Sequence, residues 1–340
     1  MDITTLQKTA QAMIAHGKGI LAIDESDKTC KKRFDALGIP CTEENRRAYR
    51  DLLITAPGIE QYLSGMILYD ETFRQKKLDG TPFPKALKDR GILPGIKVDA
   101  GLVNMALHPG EKVAEGLDQL AQRLAEYKSM GAEFAKWRIV INIGENIPTQ
   151  ACIKANTHTL ARYAAICQEA GIVPMVEPEI LIDGNHSIKQ CYQVTSDVLK
   201  NLFAQLKEQD VNLSGVILKV SMVLPGKESP KASVKEVAQQ TIKCLKKNVP
   251  KELAGVVFLS GGQTDEESAA HLSVMHQLGK LPWPLTFSYG RAIQAPALNT
   301  WSTNLNEVKS AQAALLFRAK MCSLASMGQY TDDMEKQRLY

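Results

Sequence analysis

Eight short apolar segments recur along the chain, and each ends in charged or hydroxylated residues. A stretch with helical spacing of its apolar positions follows most of them. The apolar segments are residues 19–24, 63–69, 95–99, 134–138, 173–179, 215–220, 255–260 and 285–291. Because an apolar strand followed by a helix forms a βα unit, eight such units in a row are the number that closes a parallel barrel. The pattern therefore predicts the α/β class and a (β/α)8 TIM barrel.

A helix is predicted before the first of these strands. Leu6, Ala10, Met13 and Ile14 share one helical face, and a preceding threonine provides a cap, so we expect an N-terminal helix that covers the floor of the barrel. Amphipathic spacing predicts the outer helices most clearly at residues 111–130, 155–170, 194–209, 234–247, 266–278 and 305–327.

The C-terminal end differs in composition from the rest of the chain. From Thr331 the sequence is polar and has few apolar residues, which predicts a short flexible tail over residues 331–340. No linker rich in proline, glycine or serine divides the preceding part of the 340-residue chain. We therefore expect residues 1–330 to form a single barrel domain.

Charge and cysteine usage narrow the class of protein. The net charge is +4, from 41 basic and 37 acidic residues, which is too small to favour nucleic-acid binding. The seven cysteines are scattered and form no C-x-x-C pair, so reduced thiols in the cytoplasm are expected rather than disulfides. Neither a signal peptide nor a membrane-spanning run is visible, and we expect a soluble intracellular protein without membrane association.

Three of the predicted strands carry two functional groups two positions apart. These pairs are Lys97 and Asp99, Lys136 and Arg138, and Glu177 and Glu179. Because strand side chains alternate between faces, the members of a pair point to the same side, which in a barrel can be the interior. The alternative is that each is a strand-end residue that reaches water. The recurrence of charge at strand ends favours a catalytic site, since barrel enzymes carry their active sites there.

Lys219 lies within an apolar strand and is the sharpest chemical signal. Burial and a nearby cation both lower the pKa of a lysine and yield the neutral amine that attacks a carbonyl to form an imine. Lys136 is the candidate cation. The alternative is a lysine that extends past the strand end to water.

Two carboxylates on the fifth predicted strand are candidates for acid–base chemistry. Repulsion between Glu177 and Glu179 would raise the pKa of one of them, and Asp24 adds a third carboxylate. Alternatively, these carboxylates are ion-pair partners of the basic residues on neighbouring strands, and the two interpretations are compatible.

The segments after the last two strands suit a phosphate group. Ser260, Gly261 and Gly262 follow one strand, and Ser288, Gly290 and Arg291 end the other. Phosphate sites of barrels often lie there, and arginine binds phosphate through two parallel hydrogen bonds. The six histidines form no metal-binding motif, and neither glycine-rich nucleotide motif occurs, so we expect no metal and no cofactor.

Six of these segments together resemble those of class I fructose-1,6-bisphosphate aldolases. They are residues 22–26 (AIDES), 95–99 (GIKVD), 134–138 (FAKWR), 176–180 (VEPEI), 258–263 (FLSGGQ) and 286–292 (TFSYGRA). The resemblance extends from the N-terminal helix to Tyr330. It implies a (β/α)8 barrel, usually a homotetramer, that reversibly cleaves fructose 1,6-bisphosphate to dihydroxyacetone phosphate and glyceraldehyde 3-phosphate without a metal.

The resemblance also implies catalytic roles. Lys219 would form the imine, and Glu177 would be the acid–base group that helps to dehydrate the carbinolamine. Asp24 would accept the proton of the hydroxyl on carbon 4. Lys136 would polarise the carbinolamine, Glu179 would orient the lysines, and the terminal Tyr340 would move the proton on carbon 3.

Two phosphate sites are implied in the same way. The site nearest the ketone would consist of Ser260, Gly261, Gly262, Ser288, Gly290 and Arg291. The distal site would consist of Lys97, Ser26, Thr29, Arg33 and Arg138.

The sequence departs from the family pattern at three places. Val220 and Ser221 replace the usual Pro-Asn after the lysine, Asp27 and Lys28 add charge beside the distal site, and the C-terminal tail is short. The added charge leaves open a lysine-imine aldolase that prefers another sugar bisphosphate, such as sedoheptulose 1,7-bisphosphate. A barrel kept as a non-catalytic scaffold is the remaining alternative.

Overall fold

The computed structural model describes residues 2–338, and its centre is a closed barrel of eight parallel strands. The barrel strands are β1 (Gly19–Ile23), β2 (Leu63–Leu68), β3 (Leu93–Lys97), β6 (Phe134–Ile141), β7 (Val173–Ile180), β8 (Ile217–Val220), β9 (Gly255–Phe258) and β10 (Leu285–Tyr289). They pair in the order β1-β10-β9-β8-β7-β6-β3-β2, so barrel strands that are consecutive along the chain are neighbours. The pairing of β1 with β10 closes the barrel. All eight predicted strands and the TIM barrel are confirmed.

Helices surround the barrel. They are α1 (Ile3–Met13), α2 (Asp27–Asp35), α3 (Glu43–Thr55), α4 (Asp70–Arg74), α5 (Phe83–Lys88), α6 (Leu120–Ser129), α7 (Gln150–Glu169), α8 (Ile188–Glu208), α9 (Val234–Asn248), α10 (Asp265–Gln277), α11 (Arg291–Thr303) and α12 (Val308–Ala325). Three short 3₁₀ helices cover Ile59–Gln61, Leu213–Gly215 and Asp332–Gln337. No helix within residues 2–338 is long and apolar enough to cross a membrane.

Helix α1 covers the floor of the barrel, as predicted. Leu6, Ala10 and Met13 belong to the same buried cluster as Phe134 of β6 and Met175 of β7. The cap is different from the expected threonine, because Asp2 accepts hydrogen bonds from the backbone N–H groups of the next helical residues.

Glycine makes room for the aromatic ring at the centre of this cluster. A Cβ atom on Gly95 would lie 2.2 Å from the Phe134 ring. Only a residue without a side chain therefore allows β3 to pass this close to the ring.

One predicted helix is wrong over its first half. Residues 111–130 were expected to be helical, but Lys112–Glu115 forms β5, which pairs antiparallel with β4 (Gly101–Asn104). The helix starts only at Leu120, after Gln119 in the left-handed region (φ +54°). The hairpin forms because β4 satisfies the backbone hydrogen-bonding groups of β5, and the helical spacing of apolar residues does not indicate such a partner strand.

The described part of the C-terminal segment is structured, in contrast to the flexible tail that its composition predicts. Arg318 of α12 is fully buried and pairs with Glu335 at 2.7 Å. Arg338 pairs with Asp265 at 3.0 Å and Glu266 at 2.6 Å, at the start of α10. Ion pairs with α12 and α10 hold this segment, and composition does not show such partners.

Candidate active site

Four charged side chains meet inside the carboxyl end of the barrel. Lys136 Nζ lies 2.9 Å from Asp24 Oδ2 and 2.8 Å from Glu177 Oε2. On the other side of Glu177, its Oε1 lies 3.2 Å from Lys219 Nζ. The result is a chain of alternating charges, from Asp24 through Lys136 and Glu177 to Lys219.

The strand register explains why these residues meet. Lys136, Glu177 and Lys219 lie on the consecutive strands β6, β7 and β8, and Asp24 directly follows β1 across the barrel. Glu177 and both lysines are only 3–4% exposed. Buried charges are tolerated when they are paired, and two ammonium groups against two carboxylates leave no net charge.

The pKa values of the two lysines shift in opposite directions. Burial is the main cause that lowers the pKa of Lys219, and Lys136 lowers it further against the opposing effect of Glu177. Burial also disfavours charge on Lys136, but the nearby Asp24 and Glu177 outweigh burial and raise its pKa well above the usual range. The cluster therefore contains one permanent cation and one lysine with an increased fraction of neutral amine, as the sequence predicted.

Glu177 does not have the raised pKa that repulsion was predicted to give one of the two carboxylates on this strand. Burial does favour the protonated acid, but Lys136 and Lys219 outweigh burial and lower the pKa of Glu177 below its ordinary value. Burial raises the pKa of Asp24 too, and the same two lysines bring it far below its usual range. Both carboxyl groups are thus ionised at neutral pH, because contact with two cations dominates.

Within the described part of the chain, Glu179 forms no ion pair with the lysines that the resemblance implies it orients. Its carboxylate pairs instead with the guanidinium of Arg138, on the neighbouring strand β6. The alternative interpretation of the carboxylates as ion-pair partners is therefore the better description of Glu179.

The predicted phosphate site nearest the ketone lies after β9 and β10. Gly261 and Gly262 both have positive φ, +55° and +89°, and a Cβ on Gly262 would lie 2.8 Å from Ile182. Such a turn exposes backbone N–H groups and is unfavourable for other residues. Ser288 is fully buried, and its hydroxyl has no hydrogen-bond partner among the described residues.

A groove of about 570 Å³ extends from this turn. Gly262 and Arg291 line it together with Arg338 of the C-terminal segment. Arg291 is solvent-exposed, so its guanidinium is accessible to an anion that enters the groove.

The predicted distal site is less simple, because its cations already have carboxylate partners. Ser26 and Thr29 lie together, with their hydroxyl oxygens 3.3 Å apart. Lys97 Nζ lies 2.8 Å from Asp99 Oδ1, Arg33 pairs with Glu25, and Arg138 pairs with Glu179. A phosphate there would have to share these cations.

Sequence reasoning missed three residues around the end of β1. Glu25 accepts hydrogen bonds from Arg33, Arg50 and Gln294. Glu25 stands beside Asp24 in the sequence, and that adjacency is the one signal that could have indicated it. Arg50 and Gln294 lie on helices with ordinary amphipathic patterns and gave no signal.

Two other features of the prediction concern metal binding and the terminal tyrosine. Within residues 2–338, no group of three or more His, Cys, Asp or Glu side chains is placed to hold a metal ion. Tyr340 lies outside the described residues.

Comparison with known proteins agrees with this geometry. The family described as "Fructose-bisphosphate aldolase class-I" matches residues 5–339. The "Probable fructose-bisphosphate aldolase class 1" of Xanthomonas campestris pv. campestris is 59% identical over 97% of this chain and 99% of its own length. The cytosolic fructose-bisphosphate aldolase 5 of Arabidopsis thaliana is 48% identical over 96% of this chain and 91% of its own.

A solved structure gives the same result for the fold. The fructose-bisphosphate aldolase of Plasmodium falciparum, solved in complex with TRAP and a small-molecule inhibitor, has a TM-score of 0.95 and 48% identity. The match covers 96% of this chain and 95% of that one. The chain belongs to the class I fructose-bisphosphate aldolase family, and it is a carbon–carbon lyase.

Proposed function

We propose that this aldolase reversibly cleaves fructose 1,6-bisphosphate to dihydroxyacetone phosphate and glyceraldehyde 3-phosphate through an imine at Lys219. The observation that carries the proposal is the position of Lys219: it is buried on β8, its pKa is lowered, and its Nζ lies 3.2 Å from Glu177. The names of the relatives favour fructose bisphosphate over the sedoheptulose bisphosphate alternative.

Glu177 supplies the proton transfers of imine formation. Its lowered pKa makes it a carboxylate in the resting enzyme, so it first accepts a proton from the Lys219 ammonium, and the resulting amine attacks carbon 2 of the substrate. The attacking nitrogen then loses a second proton to the alkoxide, which gives the carbinolamine hydroxyl. Glu177 finally returns the first proton to this hydroxyl, which leaves as water. Lys136 remains charged beside both groups and stabilises the negative charge that develops on oxygen.

The protonated imine makes carbon–carbon cleavage possible. Asp24, ionised at neutral pH, accepts the proton of the hydroxyl on carbon 4, and the bond between carbons 3 and 4 breaks. The aldehyde leaves, and the electron pair moves into the imine to give an enamine on Lys219. A proton is then added at carbon 3, and hydrolysis of the imine releases the ketone product.

The two phosphates hold the substrate across the barrel mouth. The glycine turn after β9, the buried Ser288 hydroxyl and the exposed Arg291 bind the phosphate nearest the ketone. Ser260 and Gly290 belong to the same site. The distal phosphate binds Ser26 and Thr29 at the start of α2, and it shares Lys97, Arg33 and Arg138 with the carboxylates that pair with them.

Three further expectations rest on the family. Tyr340 moves the proton on carbon 3 of the enamine, the chain assembles as a homotetramer, and the enzyme works in the cytoplasm. The last of these is supported by the cytosolic relative and by seven unpaired cysteines, six of them buried.

Reductive trapping tests the assignment of Lys219. Incubation with dihydroxyacetone phosphate and borohydride should attach one three-carbon adduct per chain, and peptide mapping should place it at Lys219. Lys219→Arg should abolish both adduct and turnover, whereas Lys231→Arg, at a side chain that is 85% exposed, should change neither. An adduct at Lys136 or Lys97 would overturn the proposal, and so would wild-type protein without any adduct.

A further inference from the structure

The carboxylate next to Asp24 has an unusually complete set of partners. The Glu25 side chain is 7% exposed, and Arg50 Nη2 and Gln294 Nε2 each donate to it at 2.8 Å. The guanidinium of Arg33 is its third partner. Both carboxylate oxygens are therefore satisfied by side chains alone.

The three donors come from three different helices. Arg33 lies on α2, Arg50 on α3 and Gln294 in the first turn of α11. Arg50 is itself only 2% exposed, so Glu25 provides the compensating charge for a buried cation. A buried carboxylate with this many charge-assisted hydrogen bonds has little freedom to move.

The same network holds the end of β1. Gln294 also donates to the backbone carbonyl of Ala22, two residues before Asp24, and it accepts a hydrogen bond from Tyr49 at 3.1 Å. Among residues 2–338, Asp24 in contrast forms one ion pair, with Lys136 at 2.9 Å. Because Asp24 lies between Ala22 and Glu25, fixing these neighbours fixes the backbone from which its side chain extends.

We propose that Glu25 is a positioning residue, which holds Asp24 at the distance and angle needed to accept the proton of the hydroxyl on carbon 4. The inference rests on the proposed function and deepens it. Glu25 acts through Asp24, and consecutive residues of an extended segment point to opposite sides. Asp24 thus points to the lysines in the barrel, while Glu25 points to the surrounding helices.

The network also connects both phosphate sites to this position. Arg33 lies on α2, whose N-cap is the distal-site residue Ser26, and Gln294 lies in the first turn of α11, which begins at Arg291. Each phosphate site therefore includes a helix that also carries a hydrogen-bond donor to the Glu25 carboxylate.

A comparison of two reactions separates positioning from general structural support. Cleavage of fructose 1,6-bisphosphate needs the Asp24 proton transfer, whereas trapping of dihydroxyacetone phosphate at Lys219 does not, because that substrate has no fourth carbon. Glu25→Gln keeps the side-chain shape and removes the charge. It should lower kcat for cleavage about 10–100-fold, the loss expected for a misplacement on the order of 1 Å. The rate of trapping should stay within about twofold of wild type.

A second variant covers the case in which the unpaired Arg50 unfolds Glu25→Gln. Gln294→Leu removes a neutral donor and leaves no charge without a partner, and it should produce the same selective loss of cleavage. Glu44→Gln is the matched control for removal of a carboxylate, since Glu44 is 70% exposed and pairs with Arg47 on the surface of α3. It should leave both reactions unchanged.

A double-mutant cycle gives the sharpest test. In an Asp24→Asn background, Glu25→Gln should cause little further loss of cleavage, because both changes disable the same step. Equal loss of cleavage and trapping in Glu25→Gln and in Gln294→Leu, or additive effects in the cycle, would overturn the positioning role. Failure of the wild-type enzyme to be trapped at Lys219 would instead overturn the proposed function itself.

Discussion

Removal of Lys136 should destabilise the protein far more than removal of a surface lysine with equally short ion pairs. Lys136 contacts Asp24 at 2.9 Å and Glu177 at 2.8 Å, and its side chain is 5% exposed. Lys136→Met leaves the buried Glu177 and the largely buried Asp24 without their closest cation. Breaking a buried pair in this way costs about 3–5 kcal/mol, because an uncompensated charge remains in the interior.

The matched control is Lys31→Met. Lys31 pairs with Asp35 at 2.7 Å, but the two side chains are 65% and 54% exposed. Water and ions screen such a pair, so its loss should cost little stability. The distances in the two pairs are nearly equal, and the comparison therefore isolates the effect of burial.

The cost of Lys136→Met should depend on pH. Lys136 helps to lower the pKa values of Asp24 and Glu177 in the folded state, from ordinary values of 3.8 and 4.5. Carboxyl groups with lowered folded-state pKa values stabilise the fold above their unfolded values, and that stability is lost as the pH falls through the folded values. The difference in the free energy of unfolding between wild type and variant should thus be largest near pH 7 and decrease below about pH 4.

Urea unfolding measures both effects. The three tryptophans, Trp137, Trp283 and Trp301, are buried and report unfolding by fluorescence. Wild type and variants should be compared at equal protein concentration, since subunit association adds to apparent stability. Equal costs for Lys136→Met and Lys31→Met, or a Lys136→Met cost that grows as the pH falls, would refute this account of the cluster.

Three further predictions concern activity. Arg291→Ala should raise KM for fructose 1,6-bisphosphate by a factor on the order of 10–100, from a lost contact of about 1.5–3 kcal/mol. KM for a ketose without the phosphate nearest the ketone should hardly change, and equal effects on both substrates would place Arg291 elsewhere. EDTA should leave cleavage unchanged in a coupled assay, and a loss restored by zinc would contradict the imine mechanism. Deletion of Tyr340 should slow carbon-3 proton exchange while trapping at Lys219 persists, and exchange at the full rate would show that another group transfers the proton.

The tertiary structure corrected the sequence-based predictions where a residue's hydrogen-bond or ion-pair partners lie in another segment of the chain. Residues 112–115 pair with β4 instead of continuing a helix, because their backbone partners lie in another segment. Glu335 and Arg338 were placed in a flexible tail by composition, whereas they pair with residues of α12 and α10. The spacing of apolar residues reflects local periodicity and does not indicate which segments pair with one another.

The sequence by itself determined the barrel and the chemical groups of its site. Eight apolar segments predicted the eight strands, and a lysine on an apolar strand predicted the neutral amine, because the spacing and apolar character of neighbouring residues can be read locally. Only the tertiary structure decided the protonation state of Glu177, which two cations on neighbouring strands lower against burial. It also decided that Glu179 pairs with Arg138 and that Glu25 joins three helices beside Asp24. Electrostatic effects depend on distances of a few ångströms between residues on different strands and helices, and only folding sets those distances.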